Sequence, residues 1–163
     1  AAEKGLNAPL SSSEGRLFDT AAALLGLRMY NHYEGQAAIE LEQAAGGKKG
    51  RILPYTIKGD ILDLAPALQL LAARKKSQGN AALAADFHTT VAAAVCSGLR
   101  QISRSTGIRK VALSGGVFQN MTLLGQVTEM LGNEYTVLLN RQVPPNDGGI
   151  ALGQAAVARE RGR

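Results

Sequence analysis

The 163-residue sequence carries 18 Lys and Arg against 13 Asp and Glu, a net charge of +5, and is 45% hydrophobic but only 4% aromatic, with 19 glycines and no Trp. That length suffices for one ordinary domain with its own core, and the wealth of small residues predicts helices packed closely on a sheet rather than a β-sandwich. The single cysteine, Cys96, excludes a disulfide framework and a multi-thiolate zinc cluster and suits a reducing cytoplasm, while no apolar run reads as a membrane span and the opening AAEKGLNAPL has no signal-peptide core. Basic residues gather at 48–51, at 74–76 and in the RERGR tail. No aromatic side chains are interleaved with them to stack on bases, so they predict solvated turns and ends rather than a nucleic-acid surface.

In chain order, Ser11 with Glu14 three residues on has the spacing of a capping box and opens a helix running to about residue 28. Leu17, Phe18, Ala21, Leu24 and Leu25 share one face, and Asp19 points away from it. Two readings of Asp19 stand side by side: a solvated carboxylate favourable to the helix dipole, or an acid facing a cleft. Gly26 ends the periodic pattern. YNHYEGQ, 30–36, is a loop into a second helix, AAIELEQAA, and Gly35 at its entry is either a simple turn or a place where a ligand passes close to the backbone. His32 and His88 have no Cys or second His nearby and make no metal motif.

After GGKKG, the segment RILPYTI reads as a short edge strand broken at Pro54, and 62–76 and 81–104 read as helices. Leu83, Phe87, Val91, Val95, Leu99 and Ile102 give the second of these a continuous apolar stripe, the strongest core expectation in the chain. Cys96 fits beside it as a small core-edge residue. Gly107 closes that helix.

VALSGGVFQN, 111–120, follows directly and reads as the end of a buried strand, a tight turn at Ser114-Gly115-Gly116, and the opening of a helix from Gln119. Two glycines permit positive φ and close ligand approach, and the first turn of the next helix offers unpaired N–H groups and the positive end of its dipole. A plain α/β chain reversal has the same spacing. With a helix over 121–131, a strand over 135–139 and a last helix over 149–161, the chain ends as a parallel βαβα unit, in which ligands gather at the carboxyl ends of the strands. The loop QVPPNDGGI delivers Asn146, Asp147, Gly148 and Gly149 to the place where the glycine turn emerges. Asp147 is alternatively the N-cap of the last helix. Convergence of two glycine-bearing loops favours a ligand site.

Five blocks, SSSEGRLFDTAAALLGL, YEGQAAIELE, ADFH, VALSGGVFQN and VPPNDGGIALGQA, resemble in that order the C-terminal portion of the hydrogenase-maturation carbamoyltransferases, the HypF family. More distantly, they are similar to the enzymes that make threonylcarbamoyl-adenosine in tRNA and to antibiotic O-carbamoyltransferases. The resemblance implies an α/β fold, one lobe of the two-lobed ATPase fold shared with actin, sugar kinases and Hsp70, with a ribonuclease H-like sheet and helices. Residues 1–163 are then a single unit, the C-terminal lobe of a Kae-like domain.

The implied chemistry is carbamoyl transfer. In the family, carbamoyl phosphate and ATP give a carbamoyl-adenylate, and the carbamoyl group passes to the C-terminal cysteine of a partner protein, HypE, to become the cyanide ligand of nickel–iron hydrogenases. On the matching positions, Asp19, Gly35 and Gln36 lie near the ribose and Gly115, Gly116 and Asn120 near the adenylate, and Asp147 is a catalytic metal ligand. Asp19 then becomes the cleft-facing acid. Backbone N–H groups and a divalent metal (zinc, iron or magnesium) would stabilise the charge on the phosphate leaving group, with the partner's thiolate as nucleophile. The family's paired HxxxH metal ligands have no counterpart, since His32 and His88 stand 56 positions apart, and the acylphosphatase-like, zinc-finger and YrdC-like regions are unmatched too. The expectation is therefore a portion of a longer enzyme, without the full reaction on its own. A nucleotide-binding or docking module without chemistry and a tRNA-modifying enzyme are the alternatives.

Overall fold

The computed structural model describes residues 11–162, so the AAEKGLNAPL opening and the two ends of the expected 1–163 unit lie outside the described residues. The elements are α1 (Glu14–Leu25), α2 (Gln36–Ala45), β1 (Thr56–Lys58), β2 (Ile61–Asp63), α3 (Ala65–Arg74), α4 (Asn80–Thr106), β3 (Lys110–Leu113), α5 (Met121–Leu131), β4 (Thr136–Leu139) and α6 (Ile150–Arg161). The arrangement is α/β, as expected. Its sheet is represented by two separate pairs: an antiparallel hairpin of β1 and β2, and a parallel pair of β3 and β4 running from Lys110↔Thr136 to Leu113↔Leu139. Parallel pairing needs a long crossover, which α5 supplies.

Helix α4 is the axis on which α1, α2, α3 and α5 pack. Leu83, Phe87 and Val91 are fully buried and Val95 and Leu99 partly so, but Ile102 is 57% exposed, so the predicted stripe ends a turn early. By length and composition α4 can also cross a membrane, contrary to the expectation that no run reaches that mark. Its alanines supply the hydropathy, and 72% of the apolar window is buried inside the fold. Cys96 is buried, with Sγ 3.7 Å from the Val127 carbonyl.

One turn of α4 carries buried polar side chains, and three of them, Asp86, Thr89 and Thr90, are satisfied by a strap of chain at 50–53. The Gly50 N–H donates to Thr89 Oγ1 (2.8 Å), the Arg51 N–H to Asp86 Oδ1 (2.7 Å) and the Leu53 N–H to Thr90 Oγ1 (2.8 Å), while the Arg51 guanidinium reaches Asp86 Oδ2 at 2.9 Å. Burial raises the Asp86 carboxyl, but the bonds from Arg51 and Gln78 outweigh it and the net shift is downward. These backbone donors are spent on side chains of α4, so RILPYTI cannot form the predicted strand from residue 51 and pairs only from Thr56. The hairpin also delays the helix predicted from residue 62. It begins at Ala65, where the Asp63 carboxylate accepts the Ala65 N–H (2.9 Å) and Pro66 fits the first turn.

The predicted capping box does not form. Ser13 is the N-cap, Glu14 is the first helical residue, and Ser11 Oγ accepts the Ser13 N–H instead. Nor does α1 reach residue 28: Gly26 at φ 69° ends it in a Schellman turn, with the Gly26 and Leu27 N–H groups on Ala23 and Ala22. At the other end of the chain α6 buries no residue and packs against the turn at Asp147–Gly149.

The strap sets a sharp test at Gly50, because a Cβ there would stand 2.2 Å from the Asp86 backbone nitrogen. Backbone cannot yield as a side-chain tip can, so Gly50→Ala should cost on the order of 3 kcal/mol. A urea melt unchanged from wild type would contradict this packing.

Candidate active site

The glycine turn behaves as its residues require. Gly115 sits at φ 99°, ψ 161°, a region open to glycine alone, and the chain then passes through a single 3-10 turn, Gly116–Gln119, before α5. The Gly115 N–H donates to the Pro145 carbonyl (2.9 Å), which ties the turn to the loop after β4. Thus the two glycine-bearing loops converge, as the sequence predicted. Within the second loop it is Asn146, not Asp147, that caps, its Oδ1 accepting the Gly148 N–H at 3.0 Å. The Asp147 carboxylate is left at the cleft without a protein hydrogen-bond partner among the described residues.

The start of α5 departs from expectation. Two N–H groups of its first turn are taken: Glu42 Oε1 accepts from Thr122 (2.8 Å), and Asn120 Oδ1 accepts from Leu123 (2.8 Å). A carboxylate already occupies the positive end of this helix. Among the described residues the N–H groups of Gly116 and Val117, one turn earlier, have no acceptor, and neither does that of Met121 at the head of α5. Asn120 is engaged at both ends, because its Nδ2 donates to His88 Nε2 at 2.9 Å. His88 is fully buried, its Nδ1–H donates to the Ala84 carbonyl (2.8 Å), and its ring meets that of Phe18 edge-on at 5.2 Å. Desolvation holds its imidazole below the usual histidine range.

Across from the turn stand α1 and the loop into α2. Asp19, with its side chain 26% exposed, faces the opening beside Arg16 at 3.3 Å. Gly35, at φ 77°, starts α2. Gln36 turns inward: its Oε1 accepts the His32 N–H (2.8 Å) and its Nε2 donates to Glu40 Oε1 (2.9 Å). Glu40 is in turn gripped by the Arg28 guanidinium, which holds the carboxyl below its usual range. Gln36 therefore shapes the loop without lining the opening.

These walls enclose a cleft of about 1160 Å³ that gathers Asp19, Gly35, Gly115, Gly116, Asn120 and Asp147, and leaves out Gln36. Glu42 and His88, which support the floor, were missed because neither belongs to a recognisable ligand spacing. The one signal for His88 was a polar residue beside the apolar stripe of its helix. Although the chain is basic overall, the cleft is acidic, with Glu14, Asp19, Glu34, Glu42 and Asp147 against Arg16. Among the described residues no three His, Cys, Asp or Glu side chains come together to hold a metal ion. Asp147 is thus one carboxylate donor at the cleft and not part of a ligand set among the described residues.

A family model described as carbamoyltransferase, Kae1-like domain, second subdomain, matches residues 1–154. The chain is 42% identical over 158 residues to carbamoyltransferase HypF of Rhodobacter capsulatus, covering 96% of this chain and 21% of that protein. It is 31% identical over 155 residues to the probable carbamoyltransferase HypF of Methanocaldococcus jannaschii, covering 93% and 20%. Among solved structures it is similar to full-length HypF in the phosphate- and nucleotide-bound form (TM-score 0.82, 40% identity, 91% of this chain and 20% of that one). T. kodakarensis HypF is similar too (TM-score 0.86, 29% identity, 95% and 21%). The chain spans about a fifth of the length of these relatives.

One wall residue gives a stability test. Glu14 Oε1 is buried without a hydrogen-bond partner among the described residues, and desolvation pushes the carboxyl up. With the folded-state pKa above the unfolded one, the contribution to stability is full below the unfolded pKa and is lost as pH rises through the folded pKa. Glu14→Gln should therefore raise the unfolding free energy at pH 7 by about 1 kcal/mol and flatten its slope across the carboxyl range. A variant less stable than wild type at pH 7 would contradict the assignment.

Proposed function

The chain belongs to the carbamoyltransferase Kae1-like domain family, second subdomain, and from that premise we propose that it forms the nucleotide-facing wall of a carbamoyltransferase. In this reading, carbamoyl phosphate and ATP give a carbamoyl-adenylate, and the carbamoyl group is transferred to the C-terminal cysteine of HypE, with the rest of a longer enzyme supplying the remaining chemistry. The observation that carries it is the convergence of the glycine turn and the Asp147 loop opposite Asp19 and Gly35 in one cleft. Further support comes from a relative solved with phosphate and nucleotide bound.

Each residue's part follows from its surroundings. Gly115 lets the backbone turn without a side chain over the cleft, and the free Gly116 and Val117 N–H groups are donors for the anionic phosphate of the adenylate. Asp19 accepts from ribose hydroxyls and Gly35 allows the sugar close to the backbone. Asp147 would be one ligand of a divalent metal, which when bound supplies countercharge to the phosphates. Such a charge is needed, because the carboxylates lining the cleft repel a bare nucleotide.

Calorimetric titration of the chain with ATP, with and without Mg²⁺, tests this reading. Saturable binding that strengthens with Mg²⁺ and weakens about tenfold in Asp19→Ala is expected, the loss of one charged hydrogen bond. Absence of binding by a folded sample would remove the nucleotide from this wall. In a full-length relative carrying the equivalent of Asp147→Ala, carbamoyl transfer should fall on the order of a hundredfold. Intact transfer would defeat the catalytic assignment.

A further inference from the structure

The ADFH block contributes no residue to the cleft lining, yet its histidine is tied to the cleft floor. His88 is fully buried on α4, and its two nitrogens have fixed and opposite roles. A carbonyl only accepts, so the 2.8 Å contact with Ala84 O places the proton on Nδ1 and leaves Nε2 as an acceptor. That acceptor holds Asn120 Nδ2 at 2.9 Å, and the other end of the same amide accepts the Leu123 N–H at 2.8 Å. The amide cannot be reversed without losing both bonds. Asn120 is the hinge between the 3-10 turn and α5, and its own N–H donates to Val117 O (3.1 Å). The turn at Gly116–Val117 is held from the side of β3 by the Gly115–Pro145 bond and joined to α5 through Asn120, whose side chain is held by Leu123 and the imidazole.

We propose that His88 is a positioning residue: its neutral ring locks Asn120 at the head of α5, and the lock sets the geometry of the Gly116–Val117 donors that face the ligand. The consequence for nucleotide affinity rests on the function proposed above, whereas the lock itself does not. A protonated ring has no acceptor at Nε2 and turns an N–H against the Asn120 amide, so acidification opens the lock. The groups around the ring are few. Glu42 on α2 is the charged one that acts on it, α1 presents Phe18, the head of α5 presents Asn120, and on α4 itself Asp86 is engaged with Arg51. Burial lowers the imidazole's affinity for a proton, which keeps the lock closed at neutral pH.

The test uses nuclear magnetic resonance on the ¹⁵N-labelled chain in a Glu14→Gln, His32→Gln background, which removes the cleft carboxyl that burial pushes up and the other imidazole lining the cleft. The His88 ring nitrogens should report the Nδ1–H form at pH 8. On acidification the Asn120 side-chain amide and the Gly116 and Val117 backbone amides should shift with the midpoint of the His88 ring. His88→Leu should abolish those shifts and weaken binding of 5′-O-sulfamoyladenosine about tenfold at pH 8. This neutral analogue does not itself titrate between pH 5 and 8. His88→Gln, which restores an acceptor, should recover most of that affinity and bind independently of pH.

Amides that fail to follow the His88 midpoint, or a pH profile that persists in His88→Gln, would overturn the lock. Coupled amide shifts in a wild-type chain that binds no analogue would uphold the lock and remove the nucleotide reading instead.

Discussion

The structure depends on how a single turn of α4 satisfies its own buried polar groups. Asp86, His88, Thr89 and Thr90 lie within the core helix, and an unpaired polar group there would cost on the order of 1–3 kcal/mol each. None is left unpaired. Asp86, Thr89 and Thr90 take the backbone N–H groups of the strap at 50–53 on one flank, and His88 takes the Asn120 amide on the other. The helix that holds the core together thereby also fixes the loop that faces the cleft. Asp86 and His88 are accordingly structural polar residues rather than part of the cleft lining.

That arrangement explains what the sequence made legible. Periodicity located α4 and α5 because apolar burial decides those helices, whereas the strand expected to be buried at 111–113 is buried only at Leu113 and β4 leaves Leu138 and Leu139 exposed. The glycines at 107, 115 and 35 marked turns that only glycine makes easily. The convergence of the two late loops followed from parallel βαβ topology alone. The strap was misread as a strand because its donors are consumed by side chains 35 to 39 positions away, a pairing that no local pattern announces. Helix α6 has no apolar stripe of the kind that α1, α4 and α5 carry, and its Ile150, Leu152 and Val157 are exposed.

The cleft was legible in part for the same reason. Asp19 could be placed opposite the core stripe from spacing, and the two glycine loops from topology. Gln36 and Asn120 follow in the sequence the glycine features that mark the cleft, but their side chains are spent on internal hydrogen bonds, Gln36 wholly and Asn120 at both ends. Local spacing suggested that the first turn of α5 would offer its N–H groups to an anion. A glutamate from α2 and the N-cap asparagine take the N–H groups of Thr122 and Leu123, so the reading proposed above gives the anion to the amides of the glycine turn.

In the proposed site the ligand-facing donors are the glycine-turn amides and not those of Thr122 and Leu123. An amide-resolved titration of the ¹⁵N-labelled chain with Mg²⁺·ADP reads this directly. The account predicts that the amides of Gly116 and Val117 shift most, together with Asp19 and the loop at Asp147, while those of Thr122 and Leu123 stay in place. Largest shifts at Thr122 and Leu123, or outside the cleft altogether, would contradict it.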